Sequence, residues 1–259
     1  MKYKTNLTSW NCQSLPDKLP KLLSFLVDWD IDICLLEETF LSQSKKIFTS
    51  NFRIVRNDRL SKGGGVAILV KESISFKILP RIKFELIEHV GISITLGLDT
   101  INLYSVYIPP RRQLTILLTL PGKNIFVGDW NCKHKVWGSS TNNPNGNLLL
   151  KVINNLNSST EQLTTHSPNQ PTHVHLNQST DLLDFIITNR YTKTIYPHTL
   201  FEFHSDHLPI FFNLNNTHLL KQTQTYTHTN WEKFYEYCQN HIHHIPPLTD
   251  YSHQNINMQ

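Results

Sequence analysis

The sequence predicts an α/β fold in which a two-layer sheet core is flanked by helices. Three observations carry this. Short apolar runs recur along the chain, several of them closed by Gly, Pro or a carboxylate. Few stretches between them have helical spacing. The 259 residues, 39% hydrophobic and 10% aromatic, suffice to bury a substantial core. Many strands interleaved with few helices are accommodated by packed sheets with helices outside.

Residues 3–10 read as a first strand that leads into a loop at Asn11. Leu19, Leu22, Leu23, Leu26 and Val27 recur at the spacing of an amphipathic helix, with Ser14 or Asp17 as its cap and Pro20 in its first turn. Ile31 to Leu36 follows as a strand ending at Glu37-Glu38. Gly63-Gly64-Gly65 precedes the apolar strand Val66–Val70. Runs at Val90–Leu98 and Ile101–Ile108 suggest a hairpin turning at Asp99-Thr100, and Pro109-Pro110 stops the second. Ile125-Phe126-Val127 reads as a buried strand that ends in the turn Gly128-Asp129-Trp130-Asn131. A helix is expected at Leu148–Leu156, and the last strands at Leu182–Ile187 and Leu208–Phe212. Asn215 to Asn230 is polar and reads as a linker, with Trp231, Phe234 and Tyr235 hinting at a short helix beyond it.

The charge balance is mild: 24 Lys and Arg against 20 Asp and Glu give +4. It leans towards a polyanionic partner without establishing one. The 14 His are scattered and suggest no single switch. Cys12, Cys34, Cys132 and Cys238 form no CxxC pair and no zinc spacing, so free cysteines in a reducing compartment are expected. Met1 to Thr8 lacks the apolar segment of a secretory signal, and no run is long enough to span a membrane.

Candidate chemistry sits at six strand ends: Asn11, Glu38, Tyr107, Asp129 with Asn131, Asp184, and Asp206 with His207. Loops at strand ends are where a rigid scaffold holds reactive groups. Carboxylates such as Glu38 and Asp206 with an amide such as Asn11 suit Mg²⁺, which takes oxygen ligands. A His paired to a carboxylate, here His207 with Asp184, gains a fixed tautomer and a raised basicity. Such a set fits hydrolysis of a phosphodiester, which needs a hard cation, a base and donors for the transition state. Each residue taken singly also has an ordinary reading. Asn11 can hold a turn, Tyr107 can be a core aromatic, Asp184 can face a polar sheet surface, and Ser205-Asp206-His207 can close a loop. Their joint occurrence in this order is what argues for a site.

In that order, Trp10-Asn11-Cys12-Gln13-Ser14, Leu36-Glu37-Glu38-Thr39, Tyr107-Ile108-Pro109, Gly128-Asp129-Trp130-Asn131, Leu183-Asp184-Phe185-Ile186 and Ser205-Asp206-His207 resemble the successive motifs of the endonuclease/exonuclease/phosphatase superfamily. The resemblance spans residues 3 to 214. It implies a four-layer α/β sandwich of two packed mixed sheets with helices outside, and Mg²⁺-dependent hydrolysis (Mn²⁺ serving in its place) with no nucleotide cofactor. It implies Glu38 as the main metal ligand with Asn11 and Asp206 nearby, and His207 oriented by Asp184 against the phosphate. Asp129 would activate water or protonate the leaving group, Asn131 would orient Asp129, and Tyr107 would hydrogen-bond the phosphate.

Asn131-Cys132-Lys133-His134 followed by Trp137-Gly138-Ser139 is similar to a stretch of the endonuclease domains of non-LTR, jockey-like retrotransposons. Asn145-Gly146-Asn147, Gln170-Pro171-Thr172-His173 and Arg59 ahead of the three glycines fit the same branch. The branch implies a domain over 1–214 that nicks target DNA for target-primed reverse transcription. Residues 215–259 would be a spacer, partly disordered, and a reverse transcriptase would accompany the domain in the full-length polyprotein. Action in the nucleus after cytoplasmic synthesis follows from that reading. Arg59, Arg111, Lys133, His134, Trp137, Thr172 and Ser205 are expected to shape the site or bind DNA, with Arg112 and Lys135 as further phosphate contacts. Equally open for each basic residue is ordinary solvated surface charge.

Two residues depart from the pattern: Glu37 stands in place of Gln, where an added carboxylate could change metal affinity, and Trp130 in place of Phe. The segment from Pro110 to Ile125 is short for the family. With no polymerase motif in sight, a stand-alone endonuclease fragment or truncated reading frame is expected. The rival readings are an abasic-site nuclease or other phosphoesterase of the superfamily, and a co-opted copy that binds nucleic acid without cutting.

Overall fold

The computed structural model describes residues 4–61, 63–82, 87–109, 117–159, 161–175, 178–203 and 205–214, with Glu236, Gln239 and Asn240 beyond them. The chain divides into two units, Met1–Thr217 and His218–Gln259, and the two six-stranded sheets and a small two-stranded one belong to the first. The expected linker over 215–230, the helix hinted at by Trp231, Phe234 and Tyr235, and Cys238 lie outside the described residues.

Val, Ile, Leu and Phe dominate the central strands, and several of those are buried on both faces. In chain order they are β1 (Thr5–Asn11), β2 (Ile33–Glu37), β3 (Phe52–Asn57), β4 (Val66–Lys71), β5 (Phe76–Ile78), β6 (Glu88–Leu96) and β7 (Asp99–Tyr107). Then come β8 (Lys123–Asp129), β9 (Leu163–His166), β10 (His173–Val174), β11 (Thr180–Asp181), β12 (Asp184–Asn189), β13 (His198–Thr199) and β14 (Ile210–Leu214). One six-stranded sheet has the order β13-β14-β1-β2-β4-β3, and the other β5-β6-β7-β8-β12-β9. Each is mixed: β1 with β2 and β7 with β8 run parallel, and the remaining neighbours are antiparallel.

Three apolar layers follow from the alternation of side chains along the strands. Leu7, Ile33, Leu35 and Ile68 of one sheet meet Ile92, Leu103, Val127 and Ile186 of the other, and this is the core between the sheets. Trp10, Cys34, Leu36 and Leu69, on the opposite face of the first sheet, pack against Leu22, Phe25 and Leu26 of the helix α1 (Leu19–Asp28). Phe126, Trp130 and Phe185 cover the outer face of the second sheet with Leu149, Val152 and Ile153 of α2 (Pro144–Asn157). The order helix, sheet, sheet, helix is the expected four-layer sandwich.

Some local expectations are corrected. Neither Ser14 nor Asp17 caps α1, which begins after Lys18 with no side-chain cap and tolerates Pro20 in its first turn. The hairpin turns at Gly97-Leu98, because Leu96 pairs with Asp99, and Gly97 supplies the positive φ of a two-residue loop. α2 starts earlier than Leu148, where the Asn143 side chain accepts from the Gly146 N–H. β3 and β5, which no apolar run announces, are edge strands carrying Arg53, Arg56 and Lys77.

Candidate active site

Parity along the strands places the reactive residues. Leu7, Ser9 and Asn11 alternate onto the inner face of β1, as do Ile33, Leu35 and Glu37 on β2, so Asn11 and Glu37 extend the core to the sheet's edge. On the facing sheet Leu103 and Tyr107, Ile125, Val127 and Asp129, and Ile186 and Asp184 do the same. The register then aligns them: Tyr107 is opposite Asp129 in the parallel pair, and Asp129 is opposite Asp184 in the antiparallel one. Three adjacent strands thus present Tyr107, Asp129 and Asp184 in one row, facing Asn11 and Glu37 from the other sheet.

His207 joins the row from the loop before β14. Its Nδ1 lies 2.8 Å from Asp184 Oδ2, and its Nε2 3.8 Å from Asp129 Oδ2. Burial works to depress the imidazole's proton affinity, but the carboxylates of Asp184 and Asp129 outweigh it and raise it well above the ordinary His range. Asp129 is raised in turn, by desolvation against the pull of His207. Asp129 is also tied down: Asn131 donates to it from both backbone and side chain at 3.0 Å, and Asn11 Nδ2 donates at 3.0 Å. Thr172 Oγ1 accepts the N–H groups of Leu183 and Asp184, both at 3.0 Å, and fixes the start of β12. Ser205 Oγ accepts the His207 N–H at 3.3 Å and donates to the Asn11 carbonyl at 3.3 Å. These loops are thereby bound to β1.

Glu38 follows β2 with φ of 50°, a left-handed backbone turn that costs a non-Gly residue energy. Its Oε1 accepts from Asn11 Nδ2 at 3.1 Å, and the Tyr107 hydroxyl donates to it. Burial and then the Glu38 charge push the Tyr107 phenol well above its usual range. Asp206 is held well below the usual carboxylate range: burial opposes this, and the bond from His173, the His207 charge and the bond from Gln13 outweigh it. Glu38, Asp129 and the Asn11 amide, joined through Asn11 Nδ2, offer the oxygen ligands that suit a hard divalent cation such as Mg²⁺, whereas among the described residues Asp206 clusters with His173 and His207.

The basic residues have partners of their own. Arg59 is paired with Glu88, and its guanidinium lies 5.9 Å from the Tyr107 ring centroid. Lys133 is paired with Asp181, which also accepts from Ser140 at 2.9 Å and lies 2.9 Å from His175. His134 caps a short 3₁₀ turn by accepting the Val136 N–H. Trp137 is buried, donates to the Cys132 carbonyl at 2.8 Å and stacks on Phe185, so it is a core residue. Trp130 is likewise buried against Phe185, with its indole N–H on the Phe185 carbonyl at 2.9 Å. Arg111 and Arg112 lie outside the described residues. Gln13, His173, Ser9 and Ser105 were not singled out by sequence for the site. Glu37 was expected to add charge beside Glu38, but it turns instead into the sheet interface, where Ser105 donates at 2.9 Å and Ser9 at 3.2 Å. The three cysteines in the described residues are free and buried.

Two packed mixed sheets with this carboxylate–imidazole site at their shared edge define a member of the endonuclease/exonuclease/phosphatase superfamily. A family model described as endonuclease-reverse transcriptase matches residues 101–211. The chain is 29% identical over 223 residues to the RNA-directed DNA polymerase from mobile element jockey of Drosophila melanogaster. It is 30% identical over 221 residues to the probable RNA-directed DNA polymerase from transposon X-element of the same organism. These matches cover 82% and 80% of this chain and 24% of each relative, so the chain spans about a quarter of their length. The fold is similar to that of the endonuclease domain of TRAS1, a telomere-specific non-LTR retrotransposon, with a TM-score of 0.64 and 18% identity over 82% of this chain and 98% of that one. It is also similar to AP endonuclease LMAP from Leishmania major, with a TM-score of 0.62 and 12% identity over 83% of this chain and 89% of that one. By sequence the chain is similar to the jockey and X-element mobile-element polymerases, and by fold to the endonuclease domain of a non-LTR retrotransposon.

Proposed function

We propose that this chain is a divalent-metal-dependent endonuclease that nicks one strand of duplex DNA and leaves a 3′ hydroxyl to prime reverse transcription. The observation that carries this is the buried His207–Asp184 pair beside Asp129, set opposite Glu38 and Asn11. The bound cation, Mg²⁺ or Mn²⁺, would neutralise phosphate charge and polarise the P–O bond. Glu38, Asn11 and Asp206 would hold it. Asp129, desolvated and with raised proton affinity, suits proton transfer with the attacking water or the leaving oxygen. His207, fixed by Asp184 through Nδ1, directs Nε2 at the scissile phosphate, and Tyr107 supplies a hydroxyl donor to the same oxygens. Arg59, whose guanidinium lies 5.9 Å from the Tyr107 ring centroid, and with it Lys133 and His134, would steer the phosphate backbone, which dominates DNA affinity. A reverse-transcriptase domain in the same polyprotein, synthesis in the cytoplasm and action in the nucleus complete the proposal.

The test is supercoiled plasmid incubated with Mg²⁺, with Mn²⁺ and with EDTA, beside Asp206→Ala and His207→Ala. Metal-dependent conversion to open circles, lost in both variants, is expected. Equal nicking by wild type and variants, or none with any metal, would overturn the reading. An abasic-site plasmid run in parallel separates this activity from that of an abasic-site nuclease, since an AP endonuclease is among the structural relatives.

A further inference from the structure

We propose that His173, Asp206 and His207 form a second cation site, selective for a borderline ion of the zinc class, and that filling it silences the nuclease. Only the silencing rests on the function proposed above. One nitrogen of each imidazole and one Asp206 oxygen lie within 4.8 Å of one another. His173 Nε2 and Asp206 Oδ2 are 3.3 Å apart. In a tetrahedral site with bonds of about 2.0–2.1 Å the ligand atoms stand about 3.3–3.4 Å apart, so closing the triad takes small side-chain movements.

The backbone builds this cluster. His173 and His207 are opposite each other in an antiparallel bridge. Val174 N–H donates to the Asp206 carbonyl at 2.8 Å, and Leu208 N–H to the Thr172 carbonyl at 2.7 Å. Cross-strand neighbours stand about 4.5–5.5 Å apart at Cβ, and the two imidazole rings meet edge to face with centroids 4.5 Å apart. Asp184 occupies His207 Nδ1, which leaves Nε2 to bind an ion. That carboxylate–imidazole pair is the outer support zinc-bound histidines usually have. Among the described residues Asp206 is the hydrogen-bonding partner of the His173 ring, whose Nδ1 has none. Both histidines are buried, whereas the Asp206 side chain is 36% exposed and provides a way in.

The donor set separates this site from the oxygen-lined one at Glu38. Mg²⁺ prefers oxygen ligands and keeps its waters, while two imidazoles with one carboxylate suit zinc or cobalt. Three ligands leave a fourth position for water. An ion there takes Asp206 and His207 Nε2 away from phosphate hydrolysis. Zinc therefore inhibits even when Mg²⁺ is abundant.

Metal-free full-length chain is titrated with Co²⁺ in excess Mg²⁺ and followed by its visible absorption, and Zn²⁺ is then added to displace the cobalt. One tightly held Co²⁺ with the intense bands of a low-coordinate nitrogen-ligated ion is expected, and His173→Gln should weaken it at least tenfold. Zinc-edge X-ray absorption of the loaded wild type, which needs no variant, should show two imidazoles around the ion. An oxygen-only shell, competition by Mg²⁺, or cobalt binding unchanged in folded His173→Gln overturns the site. In the plasmid assay, zinc should stop wild-type nicking, and His173→Gln should need at least tenfold more, each normalised to its own zinc-free rate. Equal zinc sensitivity refutes the silencing. A chain that nicks nothing refutes the proposed function, and the cobalt and X-ray readouts still decide the site.

Discussion

His207 Nδ1 and Asp184 Oδ2 are 2.8 Å apart in a place both side chains share with almost no solvent. The carboxylate fixes one imidazole tautomer, with its proton on Nδ1, and stabilises the charged ring. Asp184→Asn keeps the shape of the contact but removes both effects. We expect nicking to fall roughly 10²–10⁴-fold, the range of general acid–base assistance, with plasmid binding retained. Initial rates on supercoiled plasmid beside a gel-shift titration check this, and a loss under fivefold would count against it.

The same charges set a pH dependence of stability. Against the opposing effect of its desolvation, His207 is raised by Asp184 and Asp129 to about 10 in the fold, so its stabilisation is complete below about 6.5 and is lost progressively as pH rises from there to about 10. Asp129, raised by desolvation, has the same sign: its unfolded form ionises first, and stability drains as pH climbs above about 4. Asp206 is depressed and has the opposite sign, contributing above about 4 and losing that contribution on acidification. The melting temperature of the EDTA-treated chain should therefore fall from about pH 6.5 to 9. Asp184→Asn should flatten that slope, and an unchanged slope would show that the pair does not carry it.

How far the sequence reveals this molecule depends on which contacts are local. β2, β4, β8 and β12 are legible because they are buried on both faces and read as unbroken apolar runs. β3 is not, since an edge strand alternates Phe52 and Val55 with exposed or half-exposed Arg53 and Arg56. Asn11, Tyr107, Asp129, Asp184 and His207 are visible because each ends or precedes a strand. Gln13 and His173 meet Asp206 only through the fold, and Lys133 finds Asp181 from 48 residues away. No spacing along the chain records such pairs. Trp137 misleads for a related reason: its place in a polar loop hides the Phe185 ring beneath it.

Gly128 precedes Asp129 for a steric reason. Its φ is +148°, and a Cβ there would lie 2.0 Å from the Val106 carbonyl oxygen on the neighbouring parallel strand. Gly128→Ala adds backbone strain to a clash with main chain that cannot turn aside. A loss of roughly 2–5 kcal/mol is expected from urea unfolding. Gly97→Ala is the control. That glycine also has positive φ, but nothing lies within 4 Å of an added Cβ, so the cost should be only about 1–2 kcal/mol. Similar losses in the two variants would remove the steric account.

Glu37 stands where relatives are expected to carry Gln, and its surroundings favour a neutral side chain. It is fully buried, and desolvation followed by the Asp184 charge raises its carboxyl well above the ordinary range, against the bonds from Ser105 and Ser9. The unfolded chain ionises this group near pH 4.3, whereas the fold holds its proton to higher pH, so its stability is present below about 4.3 and lost as pH rises. Glu37→Gln retains an acceptor for Ser105 and removes the linkage. The melting temperature at pH 8 should rise by at least about 3 °C, the shift that roughly 1 kcal/mol produces in a domain of this size. At pH 4 the two proteins should melt within about a degree of each other. A variant less stable than wild type at pH 8 would mean that the fold uses Glu37 as an ionised carboxylate.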